Sequence, residues 1–147
     1  FYDVLSQQQK NFLTKSFNTF DILDSKKILI VDDDPRNIFA LDSSFENYNM
    51  NVLHAFDGEE CLKVLKENDG ISLVIMDMMM PIMDGYEATK KIREMDQYES
   101  LPIIALTAKN EKYDRQKCIE AGANDYITKP ADATQLLQLM KIWMRGC

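Results

Sequence analysis

Five short apolar runs, rich in β-branched residues and separated by stretches of helical pattern, leave this chain few folds to choose from. The runs are Ile28–Val31, Val52–Ala55, Ile71–Met76, Ile103–Leu106 and Asp125–Thr128. Strand-like runs that alternate with helical patterns of ordinary length predict a parallel sheet with helices on both faces. Right-handed crossovers bring each helix back onto the sheet. The carboxyl ends of all the strands then gather at one edge, which is where open α/β sheets bind ligands.

The helices have readable ends. Pro35 suits a first turn, where its missing N–H costs nothing. Leu41, Phe45 and Tyr48 recur at helical spacing and predict the buried stripe of that helix. Asp57 is an expected N-cap for a helix carrying Cys61, Leu62 and Leu65, and Asp84 for a helix over Tyr86–Met95. Gly122 suits the position just past a helix end. Asp132 is expected to open the last helix, with the stripe Ala133, Leu136, Leu137, Met140 and Trp143. Most of the methionines at 76, 78, 79, 80 and 83 are read as core or loop packing, because methionine fills irregular gaps. Residues 1–25 have helical propensity but a broken apolar stripe. They read as a linker or the tail of a preceding domain, with Phe12, Leu13, Phe17 or Phe20 available to pack on the domain that begins at residue 26.

The residues that close the apolar runs carry chemistry. Asp32 and Asp33 follow KKILIV, Asp77 follows ISLVIM, Thr107 follows LPIIAL and Lys129 follows NDYIT. Carboxylates and water suit Mg²⁺, which usually accompanies a phosphoryl group. A carboxylate beside such an ion can attack a phosphoryl donor and form an aspartyl phosphate. A lysine ammonium is a compact charge for the phosphoryl oxygens, and a threonine hydroxyl can donate a hydrogen bond to one of them. A separate base is not required where the transition state is loose. Each motif alone has a plainer explanation, since Asp favours strand-to-helix turns for capping reasons. Asp77, amid methionines, is harder to explain without a partner.

Bulk properties narrow the field. The chain's 147 residues suit one domain with a proper core. A net charge of −7 argues against direct nucleic-acid binding, because phosphate backbones reward Lys and Arg. Cys61, Cys118 and Cys147 form no CxxC pair and no Cys/His cluster, which argues against zinc and fits reduced thiols in a cytoplasmic setting. His54 lies in the strand-like run NVLHAF and reads as structural. No apolar stretch reaches the ~20 residues that span a bilayer, so no membrane contact is expected of this segment. The chain begins at Phe1 and reads as a piece of a longer protein, whose other parts are free to be membrane-anchored.

ILIVDDDPRN, LVIMDMMMPIMDGYE, IIALTA and DYITKP resemble, in order, the four signature segments of response-regulator receiver domains. Their spacing matches as well: Asp77 lies 44 positions after Asp33, Thr107 another 30 on, and Lys129 another 22. The resemblance covers residues 26 to about 145 and is nearest to receivers at the C-termini of hybrid sensor histidine kinases. It implies a flavodoxin-like doubly wound (βα)5 sandwich, with a five-stranded parallel sheet in the order 2-1-3-4-5, over residues 26–147. It further implies that Asp77 is the phosphoacceptor and that Asp32, Asp33, Asp77 and the Met79 backbone carbonyl hold Mg²⁺ or Mn²⁺. Thr107 and Tyr126 correspond to the switch pair, Lys129 to the phosphate-contacting lysine, and Pro130 to a cis-proline. Met79 and Lys109 occupy positions that tune phosphoryl lifetime. Ala131 departs from the bulky apolar residue common there, and Asp34 adds a third acid expected to face solvent.

The function so implied is a two-component or phosphorelay receiver, which takes a phosphoryl group from a histidine kinase or a histidine-phosphotransfer domain and changes shape. Such a domain catalyses its own phosphorylation and dephosphorylation as part of a larger protein. Two other readings stay open on the residues. One is a phosphohydrolase of haloacid-dehalogenase type using Asp32, since Asp32-Asp33-Asp34 contains a DxD. Against it, the third-strand acid has no such role there and no acidic pair follows Lys129. The other is a receiver-like interaction module that is never phosphorylated. Phe39, off the first helix's apolar stripe, is a candidate for partner docking. Leu139 and Ile142 are candidates for a dimer or a neighbouring domain.

Overall fold

The computed structural model describes residues 22–108 and 112–145. Strands β1 (Lys27–Val31), β2 (Asn51–Ala55), β3 (Ile71–Asp77), β4 (Ile103–Thr107) and β5 (Asp125–Thr128) form one sheet. Adjacent strands are parallel and ordered β2-β1-β3-β4-β5. The strands are followed in turn by α1 (Pro35–Ser44), α2 (Gly58–Glu67), α3 (Gly85–Arg93), α4 (Lys112–Ala121) and α5 (Ala133–Met144), with a 3₁₀ turn at Asp96–Tyr98. This is the flavodoxin-like doubly wound arrangement that the resemblance implied.

Burial follows strand position. β4 is buried at every residue and β3 over its last five, as a two-faced interior strand requires. Edge strand β2 instead exposes Asn51 and His54, and His54 Nε2 stands 3.9 Å from Asp42 Oδ2. On one face Leu29, Val31, Val74, Met76, Ile103 and Ala105 pack against α2, α3 and α4. On the other face Ile28, Ile30, Leu73, Ile75 and Ile104 pack against α1 and α5. Cys61 and Cys118 are buried free thiols in the first layer. Burial, joined by the nearby charge of Asp57, pushes the Cys61 thiol up to about 12, which keeps it an inert packing group.

Local chemistry sets the helix ends. Asp57 accepts from Glu60 N at 2.8 Å, while Glu60 Oε1 accepts from Phe56 N at 3.1 Å. Asp84 accepts from Glu87 N at 2.9 Å, and Asp132 from Thr134 N at 2.9 Å. Gly122, at φ 117°, follows α4, and Ala123 N donates back to Cys118 O, a Schellman-type close.

Several expectations need correction. Helix α1 ends at Ser44, so Tyr48 lies beyond it and Ile38 joins Leu41 on the buried stripe. Asp34 does more than face solvent: it is the N-cap of α1, accepting from Arg36 N at 2.9 Å and pairing with the Arg36 guanidinium at 2.8 Å. Met76, Met78, Met80 and Met83 are buried, but Met79 is exposed. In α5, Met144 takes the buried place expected of Trp143, whose indole N–H bonds Asp125 Oδ2 at 3.1 Å. Leu23, in the segment read as a linker, is fully buried against the α1/α5 layer. Phe12, Leu13, Phe17, Phe20, Lys109 and Cys147 lie outside the described residues.

Candidate functional site

The ends of β1, β3, β4 and β5 bring Asp32, Asp77, Thr107 and Lys129 to one edge of the sheet. Asp32 follows β1 directly, and its N–H continues the ladder to Ala55 O at 3.1 Å. Its carboxylate is fully buried and well supplied with donors. Oδ1 accepts from Asp34 N at 2.9 Å, and Oδ2 accepts from Asn37 Nδ2 and from Lys129 Nζ, each at 3.2 Å. Asp77 closes β3, also buried, with Oδ1 accepting from Met79 N at 3.1 Å and Oδ2 facing Lys129 Nζ at 3.0 Å. Lys129 thus bridges the two acids from across the sheet. Its backbone is held by its own N–H donating to Thr107 O at 2.7 Å, and the Lys129–Pro130 bond is cis. Thr107 is buried at the end of β4. Tyr126 is half-buried on β5, with the Arg115 guanidinium 5.5 Å from its ring centre.

Asp33 is exposed, yet its carboxylate belongs to the cluster: oxygens of Asp32, Asp33 and Asp77 lie within 4.8 Å of one another. Such spacing suits an ion with metal–oxygen bonds of about 2.0–2.1 Å, and the open side at Asp33 leaves room for the waters that Mg²⁺ retains. All three donors are hard oxygens, the set that Mg²⁺ or Mn²⁺ prefers. Charge points the same way. Three carboxylates against one ammonium leave the cluster two negative charges in excess, with Asp32 and Asp77 buried from the water that screens Asp33.

The titration of these groups reflects that crowding. Burial pushes the Asp77 carboxyl up to about 6, against the opposing pull of Lys129 and the Met79 N–H. Burial alone would lower the Lys129 amine, but hydrogen bonding to Asp77 and the charges of Asp77 and Asp32 outweigh it and raise it. Lys129 is therefore a fixed cation at neutral pH.

Two supporting residues carried no signal that singled them out. Asn37, on the first turn of α1, donates to Asp32 Oδ2. Gly85 opens α3 so close to β3 that a Cβ there would collide with the Asp77 carbonyl and Met78 Cα. Only glycine lets α3 begin against the strand that carries Asp77. The DG pair at 84–85 is visible in the sequence, but the contact that demands it is not.

Fold and site together define an α/β domain with a cluster of carboxylate oxygens and one ammonium at the carboxyl edge of its sheet. The chain belongs to the response regulator receiver domain family, whose family model matches residues 28–141. It is a receiver domain of the two-component systems. It is 38% identical over 121 residues to the alkaline phosphatase synthesis transcriptional regulatory protein PhoP of Bacillus subtilis. That match covers 82% of this chain and 49% of PhoP, so the chain spans about half the length of that relative. Among solved structures it is similar to the receiver domain of sensor histidine kinase PA1611 from Pseudomonas aeruginosa, which has a magnesium ion coordinated in its active-site cleft. The TM-score is 0.75 at 31% identity, covering 82% of this chain and 98% of that one. It is also similar to the receiver domain of Ssk1, co-crystallised with the Saccharomyces cerevisiae histidine phosphotransfer protein Ypd1. There the TM-score is 0.78 at 30% identity, covering 84% of this chain and 92% of that one. Receiver domains as a class bind Mg²⁺ at an acidic pocket and interact with histidine kinases or phosphotransfer proteins. Among the described residues of this chain, no helix is long and apolar enough to cross a membrane.

Proposed function

We propose that this domain accepts a phosphoryl group from a phosphohistidine onto Asp77 and changes conformation as a result. The observation that carries the reading is Lys129 Nζ lying 3.0 Å from Asp77 Oδ2 and 3.2 Å from Asp32 Oδ2, beside a three-carboxylate cluster. Asp32, Asp33, Asp77 and the Met79 carbonyl would hold Mg²⁺ or Mn²⁺, which supplies charge neutralisation when bound. In the transfer, an oxygen of Asp77 forms the new O–P bond as the N–P bond of the donor histidine breaks. The bonding pair leaves with the imidazole nitrogen. Lys129 takes the charge of the incoming phosphoryl oxygens. The Thr107 hydroxyl turns toward one of them, and Tyr126, two strand residues before Thr128, follows that movement. This is a population shift of a two-state element, biased by a new charge.

The reading extends to context. The parent protein is a hybrid sensor histidine kinase with its receiver facing the cytoplasm, and residues 1–25 lead in from a preceding domain. Its donor is a histidine kinase or a histidine-phosphotransfer domain. Met79, exposed beside Asp77, and Lys109 set how readily water reaches the aspartyl phosphate. Phe39, 72% exposed on α1, contributes to partner docking. The phosphohydrolase alternative fares worse, because Asp32 already accepts from three donors, Asp34 N, Asn37 Nδ2 and Lys129 Nζ, where Asp77 has two. A receiver-like module that is never phosphorylated would have no use for the assembled acids and amine.

The test is labelling with acetyl phosphate in Mg²⁺, read by intact-mass spectrometry. Wild type gains one acid-labile phosphoryl group and Asp77→Asn gains none. Equal labelling of the two proteins overturns the assignment.

A further inference from the structure

Three of the chain's five glycines follow an aspartate, at Asp57–Gly58, Asp69–Gly70 and Asp84–Gly85. Such a pair carries a reaction of its own. The glycine nitrogen can attack the side-chain carboxyl carbon of the residue before it and close a five-membered imide, and glycine has no Cβ to hinder the approach. The reaction needs an unengaged nitrogen, an unengaged carboxyl group and room for the backbone to turn. The three pairs are alike in sequence and differ in the fold.

At two of them both reacting groups are engaged. Asp57 Oδ1 accepts from Glu60 N at 2.8 Å, and the Gly58 N–H donates to Met83 O at 3.3 Å. Asp84 Oδ1 accepts from Glu87 N at 2.9 Å, and the Gly85 N–H donates to Met78 O at 3.1 Å. Both glycines are buried, with Met83 packed on Gly58 and the Asp77 carbonyl on Gly85. Each aspartate also caps a helix, so closing the ring there would undo a helix N-terminus.

Asp69–Gly70 lies in the turn from α2 to β3, at the far end of β3 from Asp77. Both residues are exposed, and nothing lies within 4 Å of the place a Cβ on Gly70 would take. Among the described residues none accepts from the Gly70 N–H and none donates to the Asp69 carboxylate. The one bond to the pair is from Lys27 Nζ to the Asp69 main-chain carbonyl, at 2.8 Å, and it engages neither reacting group.

We propose that Asp69 is a site of spontaneous isomerisation to isoaspartate, and that the fold protects the other two pairs. The Gly70 nitrogen bonds to Asp69 Cγ while the carboxyl hydroxyl leaves with the N–H proton as water. Water then opens the succinimide. Cleavage between the nitrogen and Cγ restores aspartate, and cleavage between the nitrogen and the main-chain carbonyl carbon leaves the chain running through Cγ. The water lost in the first step is regained in the second, so composition is unchanged and no other reactant is needed. The isoaspartyl product has one more methylene in its main chain, and the carbonyl that Lys27 now bonds becomes part of a carboxylate.

The test incubates the whole chain at neutral pH in heavy-oxygen water, folded and in urea, and reads each aspartate by proteolysis and fragment-ion mass spectrometry. Each passage through the imide leaves one solvent oxygen in the aspartyl residue, whichever way the ring opens. In the folded protein, uptake at Asp69 is expected to run at least about tenfold faster than at Asp57 or Asp84, where a cap bond and a glycine N–H bond must first be given up. In urea the three pairs should agree within about a factor of three, because little local structure remains to tell them apart. Asp69→Glu keeps the charge but would have to close a six-membered ring, so uptake at position 69 is lost. Uptake at Asp57 or Asp84 as fast as at Asp69 in the folded protein overturns the proposal. So does an Asp69 that takes up label in urea but not when folded, and so does undiminished label at position 69 in Asp69→Glu.

Discussion

Replacing Asp77 by asparagine is expected to make the metal-free domain more stable at neutral pH, although it removes the group assigned to the chemistry. Burial lifts the Asp77 carboxyl from 3.8 to about 6. Each tenfold change in proton affinity is worth about 1.4 kcal/mol, so keeping Asp77 ionised above pH 6 costs the folded state about 3 kcal/mol. The sign comes from proton binding. The folded state holds the Asp77 proton more tightly than the unfolded chain does, so this group's contribution falls as pH rises from about 4 to about 6 and is level above that. Asparagine keeps the shape and an oxygen acceptor for the Met79 N–H or for Lys129, but carries no charge to desolvate. The pull of Lys129 on the carboxylate is already contained in the value of about 6, so the net gain at neutral pH is about 3 kcal/mol at most. Urea unfolding in EDTA, followed by Trp143 fluorescence, measures it. The gap between variant and wild type should be near zero at about pH 3 and full at about pH 7.5. Added Mg²⁺ should narrow it by stabilising wild type. An Asp77→Asn protein less stable than wild type at neutral pH in EDTA, or a gap independent of pH, would mean that the buried charge of Asp77 is no burden on the fold.

Two further outcomes rest on the same geometry. Mg²⁺ affinity, measured by calorimetry, is expected to fall by about tenfold for each pH unit below 6, because the ion competes with the proton on Asp77. Asp33→Asn, which removes the solvent-side ligand, should weaken binding at every pH while leaving the metal-free fold intact. Away from the site, Arg93 Nε donates to Gly122 O at 2.9 Å, and its guanidinium nitrogens donate to Tyr98 O and Asn124 Oδ1, each at 2.8 Å. Arg93→Met strands those acceptors and should cost about 2–3 kcal/mol in urea unfolding, with acetyl phosphate labelling of Asp77 unchanged.

Features set by local chemistry were readable from residues alone. Asp57, Asp84 and Asp132 cap helices because a side-chain oxygen reaching a nearby N–H depends on a few adjacent positions. The apolar runs declared the strands, and the acids and amine closing them pointed to one edge. Where distant parts meet, the pattern was silent. Tyr48 keeps the helical spacing of Leu41 and Phe45, but Phe45 already caps α1, and Tyr48 N donates to Phe45 O in the turn beyond it. Met79 has the same composition as its buried neighbours, and only the path of the loop turns it outward. Asn37 reaches Asp32 from one turn along α1, and Gly85 is required by the backbone of β3. No residue type announces the positive φ at Ile82.

The unequal support of the two buried acids argues for which of them reacts. Asp32 receives three donors within the fold, an N–H from Asp34, an amide from Asn37 and the Lys129 ammonium. Asp77 receives the Met79 N–H and shares Lys129. Burial pushes its carboxyl up. A carboxylate held in an under-solvated state gains by acquiring a cation or by ceasing to be a carboxylate, and an acyl phosphate does the second. On the proposed reading, the new charge would sit on phosphoryl oxygens two bonds further out, toward Lys129 and the carboxylates of Asp32 and Asp33. Phosphorylation would then move charge from a place where the fold tolerates it poorly to one where a donor already waits. The burial that weakens the resting domain would thereby favour the modified one.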